Sequence, residues 1–223
     1  MNYISPIAIE LGKHFQQHLS ALDDAVTLPQ TTALWQDITT HYNEPQRSYH
    51  TLKHIRQLFA QFEQVTDKLY EAHIIALALY YHDVIYEPAR SDNELKSAEY
   101  AIEALKNYLS AEQCQYIYAL IIMTATHQIN KSTDEDKISD AAYLLDMDLS
   151  ILGAPWSEYE QYAKDVRQEY AHITKVNYRV GRITVLQKLL THTTLYLTDY
   201  YHSRLEEQAR DNIKREIALL RAS

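Results

Sequence analysis

The sequence predicts an all-α protein, a helical bundle folded as a single domain over residues 1–223. The chain has only 3 glycines and 5 prolines, so few residues would interrupt helices. Apolar residues recur at helical spacing nearly from end to end. A hydrophobic content of 46% and a charged content of 23% are ordinary for a globular protein of this length, which can bury a real core.

The helical spacing and the cap residues divide the chain into ten segments. Ser5-Pro6 is typical of a helix start, and Ser91 with Glu94 and Ser110 with Gln113 have the spacing of capping boxes. Gly153-Ala154-Pro155 indicates a helix stop, and the polar residues 130–136 indicate a loop. The predicted helices are 6–22, 30–42, 49–66, 68–83, 92–109, 111–126, 137–152, 156–171, 176–197 and 203–221.

Charge and cysteine content narrow the possible functions. The formal net charge of −9 argues against a nucleic-acid polymer as the main partner, although a small anionic substrate needs only a local positive pocket. Cys114 is the single cysteine, which excludes an intrachain disulfide and a cysteine-type zinc site and suits a reducing cytoplasm. We expect no signal peptide, because the N-terminus MNYISPIAIELGKHF has no basic start followed by an apolar core. We expect no membrane partner, because no apolar run reaches 18 residues.

Asp148 has the wrong polarity for its predicted position. Apolar residues surround it at helical spacing, so its carboxylate would need a metal, an arginine or a proton. These neighbours are Ala141, Leu144, Leu145, Ile151 and Leu152. Asp146 would point to nearly the opposite side of the helix, so helical spacing favours Asp148 as the ligand.

Histidines repeat this pattern on other helices. His82 and Asp83 follow the apolar run AHIIALALYY, where a buried helix would end. His50 and His54 are four residues apart and flank an apolar stripe. Each feature alone is more often structural, but together two imidazoles and two carboxylates suit a divalent cation such as Mn, Fe, Co or Zn. Without a thiolate, such a mixed site is typical of catalysis.

These residues resemble the H…HD…D pattern of the HD-domain superfamily of metal-dependent phosphohydrolases. The segments RSYHTLKHI, YYHDVIYEP, SDNELKSAEYA, TATHQ, LLDMDLSILG, VRQEYAHI and YRVGRITVLQKLL together resemble a subgroup of predicted HD phosphohydrolases over residues 47 to about 190. The resemblance implies a bundle of the HD-domain type. It also implies that His50, His82, Asp83 and Asp148 hold one divalent metal ion, drawn from Mn, Fe, Co, Mg or Zn.

The resemblance also suggests a phosphohydrolase that uses a metal-activated water on a small phosphate ester or nucleotide. Asp83 would both bind the ion and orient the reactants, and His54 or Glu87 would transfer a proton. Asp146 would help by a hydrogen bond to His50 or His54. Candidates for contacting the substrate are Arg47, Lys53, Lys96, Arg179, Arg182 and His127.

Two other functions remain open at this point. One is a module that binds a metal or nucleotide without turnover, and the other is an HD-type di-iron oxygenase, which usually needs more histidines. In VRQEYAHI, Arg167 and Glu169 would more often form a buried ion pair than line a cleft. Exposed apolar surface on amphipathic helices is compatible with a homodimer.

Overall fold

The computed structural model describes residues 5–129 and 134–222, and this part of the chain is helical with no β-strand. The all-α prediction is confirmed. The α-helices are α1 (Pro6–Leu22), α2 (Leu28–Tyr42), α3 (Leu52–Val65), α4 (Ala72–Tyr81), α5 (Asn93–Leu105), α6 (Ala111–Thr124), α7 (Glu135–Asp148), α8 (Trp156–Glu169), α9 (Lys175–Thr191) and α10 (Asp199–Ala222). Two short 3₁₀ helices, Thr66–Lys68 and Leu149–Gly153, follow α3 and α7.

Helix ends agree with the sequence where a local cap specifies them. Ser110 and Gln113 form the expected capping box at the start of α6. The box expected at Ser91 is wrong, because α5 begins at Asn93 and the side chain of Asn93 instead exchanges hydrogen bonds with the backbone of Glu87. The helix predicted to reach residue 197 ends at Thr191. Residues 130–133 of the predicted loop lie outside the described residues, and α7 begins at Glu135.

The chain divides into two compact units, residues 1–144 and 145–223, and the division falls inside α7. Two compact units can belong to one folding domain, so the single-domain assignment stays a prediction. No described helix combines the length and the apolar character needed to cross a membrane.

The first unit is organised around α4. Every residue of α4 from Ile74 to Tyr81 is buried, and the helix packs against α1, α3, α5 and α6. A helix that is apolar on all sides must be surrounded in this way. Tyr80 donates a 2.8 Å hydrogen bond to the carbonyl of Leu11 in α1, and Tyr42 donates a 3.0 Å bond to the carbonyl of Tyr80. The end of α4 is therefore held firmly, directly before His82 and Asp83.

The second unit packs α10 against α9 and against the 3₁₀ helix Leu149–Gly153. A buried network joins three of its helices. Arg182 of α9 donates bonds of 2.8 and 3.0 Å to the two carboxylate oxygens of Glu216 in α10, and Tyr159 of α8 donates a 2.6 Å bond to the same carboxylate. Pairing of this kind is what makes a buried charge tolerable.

Two glycines of the second unit give a matched test of its packing. A Cβ atom at Gly153 would lie 2.6 Å from Cβ and 3.0 Å from the carbonyl oxygen of Leu205, whereas one at Gly181 would meet nothing within 4 Å. We expect Gly153→Ala to lower the free energy of unfolding by about 1–3 kcal/mol through this clash. Gly181→Ala, inside α9, should raise it by about 0.5–1 kcal/mol. Urea unfolding followed by circular dichroism measures both, and equal effects would contradict the packing of Leu149–Gly153 on α10.

Candidate metal centre

Four side chains of the first unit converge where α3 begins and α4 ends. Thr51 caps α3 by accepting a 3.3 Å bond from the backbone N–H of Lys53, which places His54 in the first helical turn. His50 precedes the helix, so the two histidines do not share a regular helix as expected. His82 and Asp83 lie in the turn directly after α4.

The ring nitrogens and one carboxylate oxygen of this group lie within 3.9 Å of each other in four pairs. The Nε2 atoms of His54 and His82 are 3.3 Å apart. One oxygen of Asp83, Oδ2, lies 3.0 Å from Nε2 of His82 and 3.9 Å from Nε2 of both His50 and His54. With metal–nitrogen bonds of about 2.0–2.1 Å, two nitrogens on one ion are separated by about 2.9–3.4 Å. The His54–His82 and His82–Asp83 distances lie in this range, so these three side chains fit a divalent transition metal, whereas the two distances of 3.9 Å are longer.

Hydrogen bonding prepares His82 to act as a ligand. Its Nδ1 donates a 2.9 Å bond to the carbonyl of Leu79, one turn earlier in α4. This bond places the proton of the neutral imidazole on Nδ1, so Nε2 presents its lone pair to the other side chains of the site. The His82 side chain is 2% exposed and that of His54 is 3% exposed, so water competes little with such an interaction.

Two tyrosines pack on the histidines of this site. The ring of Tyr86 stacks on His50 with centroids 4.1 Å apart, and the ring of Tyr49 lies 4.8 Å from that of His54. Sequence reasoning did not select either residue, because the chain has 19 tyrosines and nothing in their spacing separates these two from the rest.

Arg47 connects the two segments that carry the site. Its guanidinium donates to the carbonyls of His50 (3.2 Å), Asp83 (2.7 Å) and Val84 (2.8 Å), and its Nε donates to Glu44 (3.0 Å). The Arg47 side chain is 0% exposed. It acts as a brace inside the protein, and the predicted contact with substrate would require this brace to open.

The other residues predicted to contact substrate lie in different surroundings. Lys53 is exposed and lines a groove of about 1110 Å³ that is also lined by α1 and α2. Lys96 pairs with Glu99 at 2.8 Å on the surface of α5, and Arg182 is bound to Glu216 in the second unit. Arg179 is half-buried in α9. Their roles toward a substrate stay predictions.

His127 and Glu87, predicted to contact the substrate and to transfer a proton, both lie after the end of a helix. His127, just after α6, has a left-handed backbone conformation with φ of 52°. Glu87 is exposed in the segment between α4 and α5, and its backbone is held by Asn93. The assignments of His127 to the pocket and of Glu87 to proton transfer also stay predictions.

Asp146 and Asp148 of α7 differ from the prediction in how deeply each side chain is buried. Asp148, the last residue of α7, is half-buried, whereas Asp146 is fully buried. Asp146 accepts hydrogen bonds from the backbone N–H groups of Leu197 and Thr198, at 2.7 and 2.8 Å, and from the Thr198 hydroxyl. Burial raises the pKa of Asp146 to about 6 despite these bonds. Asp146 therefore holds the segment that leads into α10, and its expected bond to His50 or His54 stays a prediction.

Asp140 is a second buried carboxylate that sequence reasoning missed. It accepts bonds of 2.9 and 2.8 Å from the backbone N–H groups of Tyr70 and Glu71, directly before α4. The unpaired N–H groups at the start of a helix attract a carboxylate in this way. A sequence signal was available, since Asp140 precedes Ala141 and Ala142 on a helix with an apolar face, but its partner is 70 residues away.

The brace formed by Arg47 gives a test of this geometry. Arg47→Ala would leave the carbonyls of His50, Asp83 and Val84 without their buried donor, so we expect the free energy of unfolding to fall by about 2–4 kcal/mol. Urea unfolding of the variant measures this loss. Arg56→Ala, at an exposed position in α3, is the control and should change stability by about 0.5 kcal/mol or less. Equal stability of the two variants would contradict the brace.

Comparison with known proteins identifies the fold. No protein-family model matches the sequence, and no curated protein matches it. Among solved structures, the phosphodiesterase domain of the RhoPDE fusion protein from the choanoflagellate Salpingoeca rosetta aligns with a TM-score of 0.60. The alignment covers 99% of this chain and 92% of that domain at 15% sequence identity. The two chains share an all-α fold, while membership of the HD-domain superfamily stays a prediction.

Proposed function

We propose that this protein is a metal-dependent phosphohydrolase that cleaves the phosphate ester of a small molecule or nucleotide. The observation that carries the proposal is the position of Asp83, whose one carboxylate oxygen lies within 3.9 Å of three imidazole Nε2 atoms. Three imidazoles around one carboxylate suit a catalytic divalent ion, for which Mn, Fe, Co, Mg and Zn are the candidates. The phosphodiesterase fold of the choanoflagellate domain is consistent with this chemistry.

The proposed ligands combine the sequence pattern with the geometry of the first unit. His82 and Asp83 keep the role that the HD resemblance implies. His54 joins them, because its Nε2 is 3.3 Å from that of His82 and its side chain is almost fully buried. Asp148 keeps, as a prediction, the role of ligand that the HD resemblance implies. His50, the remaining ligand implied by the pattern, would bind at the more open side of the site.

A bound divalent ion supplies a water of lowered pKa and an electrostatic partner for phosphoryl oxygens. The protein side chains would position these reactants and move the proton. His82 is held in one tautomer by Leu79, so it keeps a lone pair at Nε2. The His50 side chain is 19% exposed and stacked on Tyr86. Exposed Glu87 stays the candidate for proton transfer, since His54 is proposed here as a ligand.

The proposed substrate class, a small phosphate ester, follows from the net charge of the protein. The net charge of −9 disfavours a nucleic-acid polymer, whereas a small phosphate ester needs only a few cations. Lys53 is the best placed of the predicted cations, because it is exposed one residue before His54. A cytoplasmic location and a homodimer stay predictions from the sequence.

A metal-dependent assay tests the proposed activity. The full chain, freed of metal with a chelator, would be screened against nucleotides and phosphate mono- and diesters with each of the five metals. We expect hydrolysis of at least one ester class only when metal is restored. Asp83→Ala should lower kcat/KM by on the order of 100-fold or more, because it removes both a ligand and the partner of three imidazoles.

The control for this assay is Asp211→Ala, which removes an exposed carboxylate in α10 and should leave kcat/KM unchanged. Full activity in Asp83→Ala would contradict the proposed site. Metal binding without turnover of any ester would favour the non-catalytic binding module, and a visible iron–oxygen chromophore on exposure to air would favour the oxygenase.

A further inference from the structure

A second group of histidines lies in the first unit, away from the candidate centre. The Nδ1 atoms of His18 in α1 and His73 in α4 are 3.0 Å apart, and the ring centroids are separated by 5.2 Å. His73 occupies the first turn of α4, whereas His82 follows its last turn. At 1.5 Å per residue, about 14 Å of helix axis separates the two positions. The two groups of histidines are therefore distinct.

A third histidine lies on the same side of α1. His14 precedes His18 by four residues, the spacing that places two side chains one above the other on a helix. It is close enough to His18 to act on its charge, because burial, His73 and His14, in that order, lower the pKa of His18 to about 4. His18 is consequently neutral at pH 7, as a metal-binding imidazole must be.

The surroundings leave one side of this group open to solvent. Behind His18 lie the rings of Phe59 and Phe62 of α3, with centroids 6.0 and 5.5 Å from the imidazole. His73 is exposed. Beside His14 is a cavity of about 360 Å³, which Glu10 and Glu63 also line. Because His73 is exposed, an ion could approach its ring without moving the core.

We propose that His18 and His73 form a separate binding site for a transition-metal ion of the Zn²⁺, Ni²⁺ or Cu²⁺ type. The 3.0 Å distance between the two Nδ1 atoms is the separation of two ligands at about 90° on an ion with bonds of about 2.0–2.1 Å. Imidazole is the preferred protein ligand of these three metals when no thiolate is present. The bound ion would join α1 to the first turn of α4 and so stabilise the first unit.

Zinc titration of the full chain tests this proposal. Protein freed of metal by a chelator would be titrated with Zn²⁺ in an isothermal calorimeter, and the bound metal counted after dialysis. We expect His73→Gln to bind one equivalent of Zn²⁺ fewer than the unaltered protein, whether or not the candidate centre also takes Zn²⁺. Because His73 is exposed, this substitution leaves the core intact.

Two controls keep the result interpretable. His172→Gln alters an exposed histidine of the second unit and should keep the full number of zinc equivalents. Hydrolytic activity with the preferred metal should be equal in His73→Gln and the unaltered protein, which separates this site from the proposed function. The proposal is overturned if His73→Gln, folded by circular dichroism, binds as many equivalents with the same affinities as the unaltered protein.

Discussion

The candidate centre depends on the buried guanidinium of Arg47. His50 and Asp83 are 33 residues apart in the sequence, and Arg47 donates to the carbonyl groups of both. A guanidinium is always charged and presents several donors in one plane, so it can hold several carbonyls in a fixed geometry. Removal from water is costly for this charge, and the carbonyl groups with Glu44 offset that cost. The brace therefore sets the distance between His50, which precedes α3, and Asp83, which follows α4.

The polar residues His82 and Asp83 directly follow the apolar helix α4, and the burial of that helix restricts where they can lie. α4 is buried on all sides and held at its end by Tyr42, so the two residues that follow it have little freedom. Imidazoles and a carboxylate at such a position are costly to bury unless they satisfy each other or bind an ion. Here Asp83 faces three imidazoles, and this is the arrangement that a divalent ion stabilises.

Sequence patterns predicted the features that depend on local chemistry. Helical spacing gave the all-α class, and the Ser110 capping box marked the start of α6, because both depend on residues a few positions apart. Hydrogen bonds between residues that are far apart in the sequence could not be predicted from such local patterns. The bonds from Arg47 to the carbonyls of Asp83 and Val84, and those from the 197–198 backbone to Asp146, could not be predicted from residue spacing. For both residues, the partner lies more than 30 positions away.

The central claim is that a divalent ion binds between these side chains. Anomalous diffraction from crystals of the His73→Gln variant soaked in Mn²⁺, recorded near the manganese absorption edge, tests it most directly. We predict one strong peak within bonding distance of Nε2 of His82 and Oδ2 of Asp83. A map with no peak there, and with lysine or arginine side chains neutralising Asp83 instead, would contradict the account.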